Sequence, residues 1–299
     1  MKKKTVLFLG LSLVLLTACQ GQTKYTPSFI DTQIDPEMWV AIPSGEFNSG
    51  QHNHEVEIPY NFEIMVTDVT NYQYARFLNE SSEQGTIGFE GANPIGFYHG
   101  DEFHGYNHEE EISEGWYQLA ALDDPNVRIT LQNGSYISEP EFTNHPVTQV
   151  TWFGAKAFCE FYGWRLPTEL EWEKAARGTD TRPFPWGDVL APENANYYSS
   201  QDIFEKTFGK AGSTTPVGFY NGDTYEGFTT VDSPSPYGLY DMAGNVWQWT
   251  GDVYEYQHYR YMRGGSKDTY GYNLRVWTRN SAGPEYYSPA VGFRCAKDK

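Results

Sequence analysis

Between Thr179 and Lys299 a glycine, asparagine, aspartate or proline recurs every few residues, and this punctuation constrains the fold more than any other feature of the sequence. Such residues end helices and set turns, so the carboxy-terminal part is predicted to be short strands and structured loops with no helix. The 299 residues include 29 Gly and 17 Pro, which extends the same reading to the whole chain: many turns, no long helices. A chain so interrupted needs bulky side chains to hold it together. It has them, as 18 Phe, 23 Tyr and 9 Trp, and this excludes intrinsic disorder despite a formal charge of −18. The charge also excludes nucleic acid as a partner, because that binding is driven by Lys and Arg displacing condensed counterions and no basic stripe is present. Anionic membrane surfaces are disfavoured for the same reason.

The amino terminus sets the compartment. Lys2, Lys3 and Lys4 precede an apolar run from Val6 to Leu16, then Thr17-Ala18-Cys19. The run is too short to span a bilayer, which takes about 20 residues, and it fits the hydrophobic part of a secretory signal. With small residues ending in Cys19, residues 1–18 resemble the signal of a bacterial lipoprotein. That resemblance implies removal of 1–18 and acylation of Cys19, so the lipid bilayer is an expected partner through the lipid alone. Residues 19–37 then read as a polar tether, and the protein is expected outside the cytoplasm at the bacterial envelope, facing periplasm or surface. Two cysteines remain, Cys159 and Cys295. In an oxidising compartment an even pair is most simply a disulfide; two free buried thiols are the alternative.

The rest is read as one domain over 38–299. Residues 38–43 are strand-like. Glu55–Pro59 and Phe62–Val66 each alternate with period two and are predicted to pair with one another. Thr70 caps a helix through Leu78 with Tyr74, Phe77 and Leu78 on one face. Thr151 opens a second helix, with Gly163 just past its end. Thr168 and Glu171 form a capping box for a third, ended by Gly178. Residues 85–144 carry little periodicity and many acids, and read as an insertion of loops with one or two short strands.

Several motifs follow in a fixed order: Val40-Ala41-Ile42-Pro43-Ser44-Gly45-Glu46-Phe47, Asp68-Val69-Thr70-Asn71-Tyr72, His145-Pro146-Val147, Arg165-Leu166-Pro167-Thr168-Glu169-Leu170-Glu171-Trp172, Asp241-Met242-Ala243-Gly244-Asn245-Val246-Trp247, Arg263-Gly264-Gly265-Ser266 and Gly292-Phe293-Arg294. The series resembles the formylglycine-generating enzyme, or sulfatase-modifying factor, family. The resemblance implies an α+β fold, an elaborated C-type-lectin-like single domain with little regular secondary structure. In the active enzymes two cysteines shortly after Gly-Gly-Ser bind copper(I) and activate oxygen to oxidise a substrate cysteine. Copper(I) requires soft thiolate ligands, and Lys267 to Leu274 contains no cysteine. No copper is therefore expected at the family position, and formylglycine generation itself is excluded. Cys159 and Cys295 match positions that form a structural disulfide in some relatives.

The resemblance also implies calcium, through Asp241, Gly244, Val246 and Gln248. A second set would use Asn196 and Tyr197, with Asp202 and Phe204 less well aligned. Backbone carbonyls plus a carboxylate can supply the six to eight oxygens that calcium takes. The histidines His52, His54, His99, His104 and His108, the last followed by Glu109, match no standard ligand spacing, so iron or zinc is not expected. Tyrosines crowd residues 254–287, the segment that forms the family's substrate cleft. Ser266, Tyr270, Tyr272, Arg275, Trp277 and Arg279 are the cleft candidates, suited to a peptide, sugar or small-molecule ligand. Two functions follow: a binding or accessory module using this cleft, or an extracytoplasmic oxidoreductase-like enzyme with a metal site free of cysteine.

Overall fold

Three threonines set the main helices. Thr70, Thr151 and Thr168 accept hydrogen bonds from the backbone N–H of Gln73, Gly154 and Glu171, opening α1 (Asn71–Glu83), α2 (Trp152–Phe161) and α3 (Glu169–Arg177). Each cap satisfies a donor that the first helical turn leaves orphaned. In the computed structural model the described residues are 28–101, 112–208, 213–254 and 258–299. A fourth helix, α4 (Ile203–Phe208), lies in the stretch where none was predicted. Asp202 caps it, its Oδ1 accepting from the N–H of Phe204 at 2.7 Å and Glu205 at 3.0 Å. Residues 202–208 are also a rare run there without Gly, Pro or Asn, and Ile203 and Phe204 bury against Phe219 and Phe228.

The strands are short. In chain order they are β1 (Trp39–Ile42), β2 (Gly45–Ser49), β3 (His54–Ile58), β4 (Phe62–Met65), β5 (Ile87–Glu90), β6 (Asn93–Tyr98), β7 (Gly115–Gln118), β8 (Ile129–Gln132), β9 (Ser135–Ser138), β10 (Thr224–Tyr225), β11 (Phe228–Thr229), β12 (Trp247–Tyr254), β13 (Tyr259–Arg263), β14 (Arg279–Ala282), β15 (Val291–Phe293) and β16 (Ala296–Asp298). The largest sheet runs β14-β13-β12-β15, antiparallel except for the β12–β15 pair. In a three-stranded sheet β1-β4-β16, the last strand and β1 flank β4 on opposite sides. The predicted pairing of 55–59 with 62–66 does not form. β3 pairs with β2, Phe47 opposite Val56, while β4 sits between β1 and β16. Pro59 has no N–H to continue a ladder, and Asn61 Oδ1 accepts from the Ser44 N–H at 2.8 Å, turning the chain away.

The main core is aromatic. Tyr74 and Phe77 of α1 meet Phe158 of α2 and Phe293 of β15, with ring centroids 5.3–6.2 Å apart. Cys159 and Cys295 are bonded inside this cluster, S–S 2.03 Å, joining α2 to the last strands and excluding two free thiols. Among the described residues of the 85–144 segment there are five strands where one or two are predicted: a sheet β5-β6-β7 and a hairpin β8-β9. Glycines and acids at their edges mask the alternation over strands of four to six residues. The amino-terminal boundary also moves. Residues 28–37, read as tether, pack on the domain: Ile30 is buried, and Thr32 Oγ1 donates to Val217 O at 2.8 Å. The signal segment and Cys19 lie outside the described residues.

Candidate functional site

A trough of about 1040 Å³ opens where β6, α2 and β12 converge. β6 delivers Phe97 and Tyr98, α2 delivers Trp152, Lys156 and Glu160, and β12 delivers Asp252 and Val253, with Tyr60 on one wall. A smaller hollow of about 420 Å³ shares Tyr60, Thr168, Asp252 and Val253 as its wall and adds Glu169, Tyr261 and Arg279. The volumes suit a ligand of several rings or residues.

The walls are braced from beneath. Trp152 donates its indole N–H to Thr250 O at 2.8 Å, and the Arg260 guanidinium lies 4.3 Å from its ring centroid. Arg260 Nη2 in turn donates to Asp101 Oδ1 at 2.6 Å, which also accepts from Tyr98 OH at 2.5 Å. Burial raises the Tyr98 hydroxyl above its usual range, and the hydrogen bond to Asp101 adds to that, so Tyr98 stays a donor. Arg165 forms a two-pronged pair with Glu171, both contacts 2.7 Å, and reaches Asp298 at 2.8 Å; these partners raise its pKa and keep it charged. In the smaller hollow Glu169 pairs with Arg263 at 2.8 Å and Arg279 at 2.6 Å. Burial nevertheless raises the carboxyls of Glu169 and Asp252 above the ordinary range, so both protonate more readily than exposed acids. Rings, fixed donors and carboxyls of this kind can hold a polar ligand with flat faces.

The predicted cleft residues separate. Tyr270 and Tyr272 are 68% and 62% exposed on a face outside the trough, where Tyr198 lies 5.1 Å from Tyr270 and the Arg275 guanidinium 4.9 Å from Tyr272. Trp277 lies between the Arg177 and Arg275 guanidiniums, 5.5 and 5.9 Å away. Ser266 is buried and donates to Asp268 Oδ1 at 2.6 Å. Arg279 alone of the six lines the hollow. Sequence reasoning missed Tyr60, Phe97, Trp152 and Asp252; Tyr60, an aromatic directly after the proline that ends β3, was the available signal.

At the first set read as calcium ligands, two of the side-chain oxygens are taken by N–H donors. Gln248 Oε1 faces two N–H donors, and Asp241 Oδ2 accepts from the Gly218 N–H at 2.7 Å. Gly244, with φ +83°, takes the only side-chain-free form that fits: an added Cβ would stand 2.4 Å from Asn196 O. Val246 is buried beside it. At the second set, the Asn196 side-chain amide donates to Ser213 O at 2.9 Å, Tyr197 O accepts from the Ser200 N–H at 2.9 Å, Phe204 is core, and Asp202 spends its oxygens on α4, Ser200 and Tyr220.

Among the described residues no group of three or more His, Cys, Asp or Glu could hold a metal ion. His99 lines the trough 5.1 Å from Phe97, and His52 and His54 meet edge-on at the surface with ring centroids 6.2 Å apart. His104, His108 and Glu109 lie outside the described residues.

Over residues 27–299 the sequence matches the family described as the sulfatase-modifying factor enzyme 1-like domain. It is 32% identical over 286 residues to serine/threonine-protein kinase pkn1 of Chlamydia pneumoniae, covering 87% of this chain and 38% of that protein. It is 36% identical over 177 residues to the formylglycine-generating enzyme of Mus musculus, covering 52% of this chain and 45% of that protein. The chain therefore spans less than half the length of these curated relatives. The kinase activity in the first name is said of that protein, most of which lies outside the match. The fold resembles that of CarF, with TM-score 0.59 and 22% identity over 89% of this chain and all of the other.

Proposed function

The chain belongs to the sulfatase-modifying factor family, and from that premise we propose that it is an envelope lipoprotein that binds a ligand, or serves as an accessory to an enzyme, without generating formylglycine itself. One observation carries this reading: the two cysteines of the domain are bonded to each other inside its core. The only other cysteine is Cys19, ahead of the domain. No thiolate is left to hold copper(I), and the segment after Gly265 supplies none. The scaffold keeps a built depression, so recognition is the activity it can support. We assign the aromatic cleft to the trough lined by Tyr60, Phe97, Tyr98 and Trp152, because these rings combine depth with hydrogen-bonded bracing. Tyr270 and Tyr272 stand exposed on a different face.

Acylation at Cys19 places residues 20–27 between the lipid and the first described residue. Fully extended they reach about 28 Å, so the domain is held close to the bilayer. Two or more acyl chains anchor stably where one does not. Among the described residues no helix is long and apolar enough to cross a membrane.

The test has three arms. Purified protein given copper(I), oxygen and a cysteine-bearing peptide yields no aldehyde, and label from radioactive palmitate disappears in Cys19→Ala. On peptide and glycan arrays, binding is lost in Tyr60→Ala and Phe97→Ala and kept in Tyr272→Ala, with melting temperatures unchanged. Aldehyde product, or binding lost only in Tyr272→Ala, overturns the assignment.

A further inference from the structure

We propose that the side-chain amide of Gln248 closes the 241–248 turn in place of a divalent cation, so that this chain needs no calcium there. Gln248 is completely buried, and its two ends are told apart by their partners. One end receives the indole N–H of Trp172 at 2.8 Å and the Nε–H of Arg294 at 2.7 Å. Neither donor can accept, so this end is the oxygen and the orientation of the amide is fixed. The other end is therefore NH₂, and it donates to the backbone carbonyl of Asp241 at 2.7 Å.

A carboxylate at position 248 reverses the sign of that last contact. It sets an acceptor oxygen against an acceptor carbonyl, and the repulsion is relieved when a cation sits between them and binds both at about 2.3–2.6 Å. The amide makes the same contact attractive with no ion. Positive charge is already supplied by Arg294, which is fully buried. Its remaining donors reach Met65 O and Val66 O at 3.2 Å, Asp68 Oδ1 at 3.2 Å and Tyr240 O at 2.8 Å. Asp241 Oδ2 accepts from the Gly218 N–H at 2.7 Å.

The turn in turn holds the next segment. Gly244 N–H donates to Gly264 O at 2.9 Å and Lys267 N–H to Asn245 O at 3.0 Å, so two backbone hydrogen bonds tie the turn to the arm leading to Tyr270. Gln248 is thus a positioning residue, acting through the turn.

Calcium titration calorimetry at pH 8 on the full chain and on Gln248→Glu tests this, with melting temperature as a second readout. The glutamate variant binds one more equivalent of calcium than the wild type and gains stability from it. If the variant is unfolded without calcium, calcium restores it. The proposal is overturned by equal stoichiometry in the two proteins, by an unfolded variant that calcium does not restore, or by wild-type calcium that disappears in Gln248→Leu.

Discussion

His145 is buried with its Nδ1 2.9 Å from Thr214 Oγ1, its ring 4.9 Å from Phe142 and 5.1 Å from Phe204. Burial, with the Arg128 charge adding to it, drives its pKa from 6.5 to about 3. The folded state therefore keeps it neutral while the unfolded chain takes up a proton below pH 6.5. The unfolded state binds more protons in that range, so stability is complete above pH 6.5 and falls as the pH drops toward 3. While the uptake is whole, the slope is about 1.4 kcal/mol per pH unit. Asp68 acts oppositely: burial raises its pKa well above 3.8 against the pull of Arg294, so its contribution is lost as pH rises. His145→Gln should flatten the dependence of the urea midpoint on pH between 6.5 and 4; an unchanged profile would show that His145 is not the titrating group. The sequence makes His145 visible through His145-Pro146-Val147 but not its state, which is set by rings from other segments. The same holds for Gln248, whose role follows from Trp172 and Arg294, 76 and 46 residues away.

Elements were legible where their signals are local. A capping box needs four consecutive residues, so Thr168 to Glu171 announces α3 before any tertiary contact forms. Strand partners are chosen over distance, and alternation says which faces are buried without saying against what, so the β3–β4 pairing failed. The 85–144 strands show how such elements are held. Asn79 on α1 donates to Tyr136 O at 2.9 Å and accepts from Tyr136 N–H at 2.8 Å, imitating a strand at the side of the β8–β9 hairpin. Two-stranded hairpins are marginal alone, and this one packs by its β9 strand on α1. Replacing Asn79 with Ala removes both bonds, about 1–3 kcal/mol of local stability. Hydrogen exchange at residues 129–138 should accelerate roughly five- to 150-fold, the rate equivalent of that loss, while exchange in α2 and α3 stays as it was. Uniform acceleration would mean instead that the hairpin and the core open as one unit.

At the scale of the molecule, the trough was illegible because Tyr60, Phe97, Trp152 and Asp252 come from four separate segments. The fold as a whole was legible through ordered motifs, and the bond that closes it was open to two readings from spacing alone. Cys159 and Cys295 stand 136 residues apart, and both are fully buried in the aromatic core. Closing so long a loop in the unfolded chain is worth roughly 5 kcal/mol on the chain-entropy account, at the upper end of measured bridges. Burial adds a kinetic consequence. A reductant's thiolate must reach sulfur, and with neither cysteine exposed it can do so only after the Tyr74–Phe158–Phe293 packing opens. Reduction of the folded protein by dithiothreitol should therefore be slow and reach a rate independent of reductant concentration, equal to the opening rate. Adding urea below the midpoint should raise that plateau in step with unfolding. A rate proportional to dithiothreitol throughout, in buffer where the protein stays folded, would mean that the bridge is reached without opening the core. The Cys159→Ala/Cys295→Ala pair should then lower the denaturation free energy by about 2–5 kcal/mol, and it leaves the aromatic core to hold α2 against the chain end by packing alone.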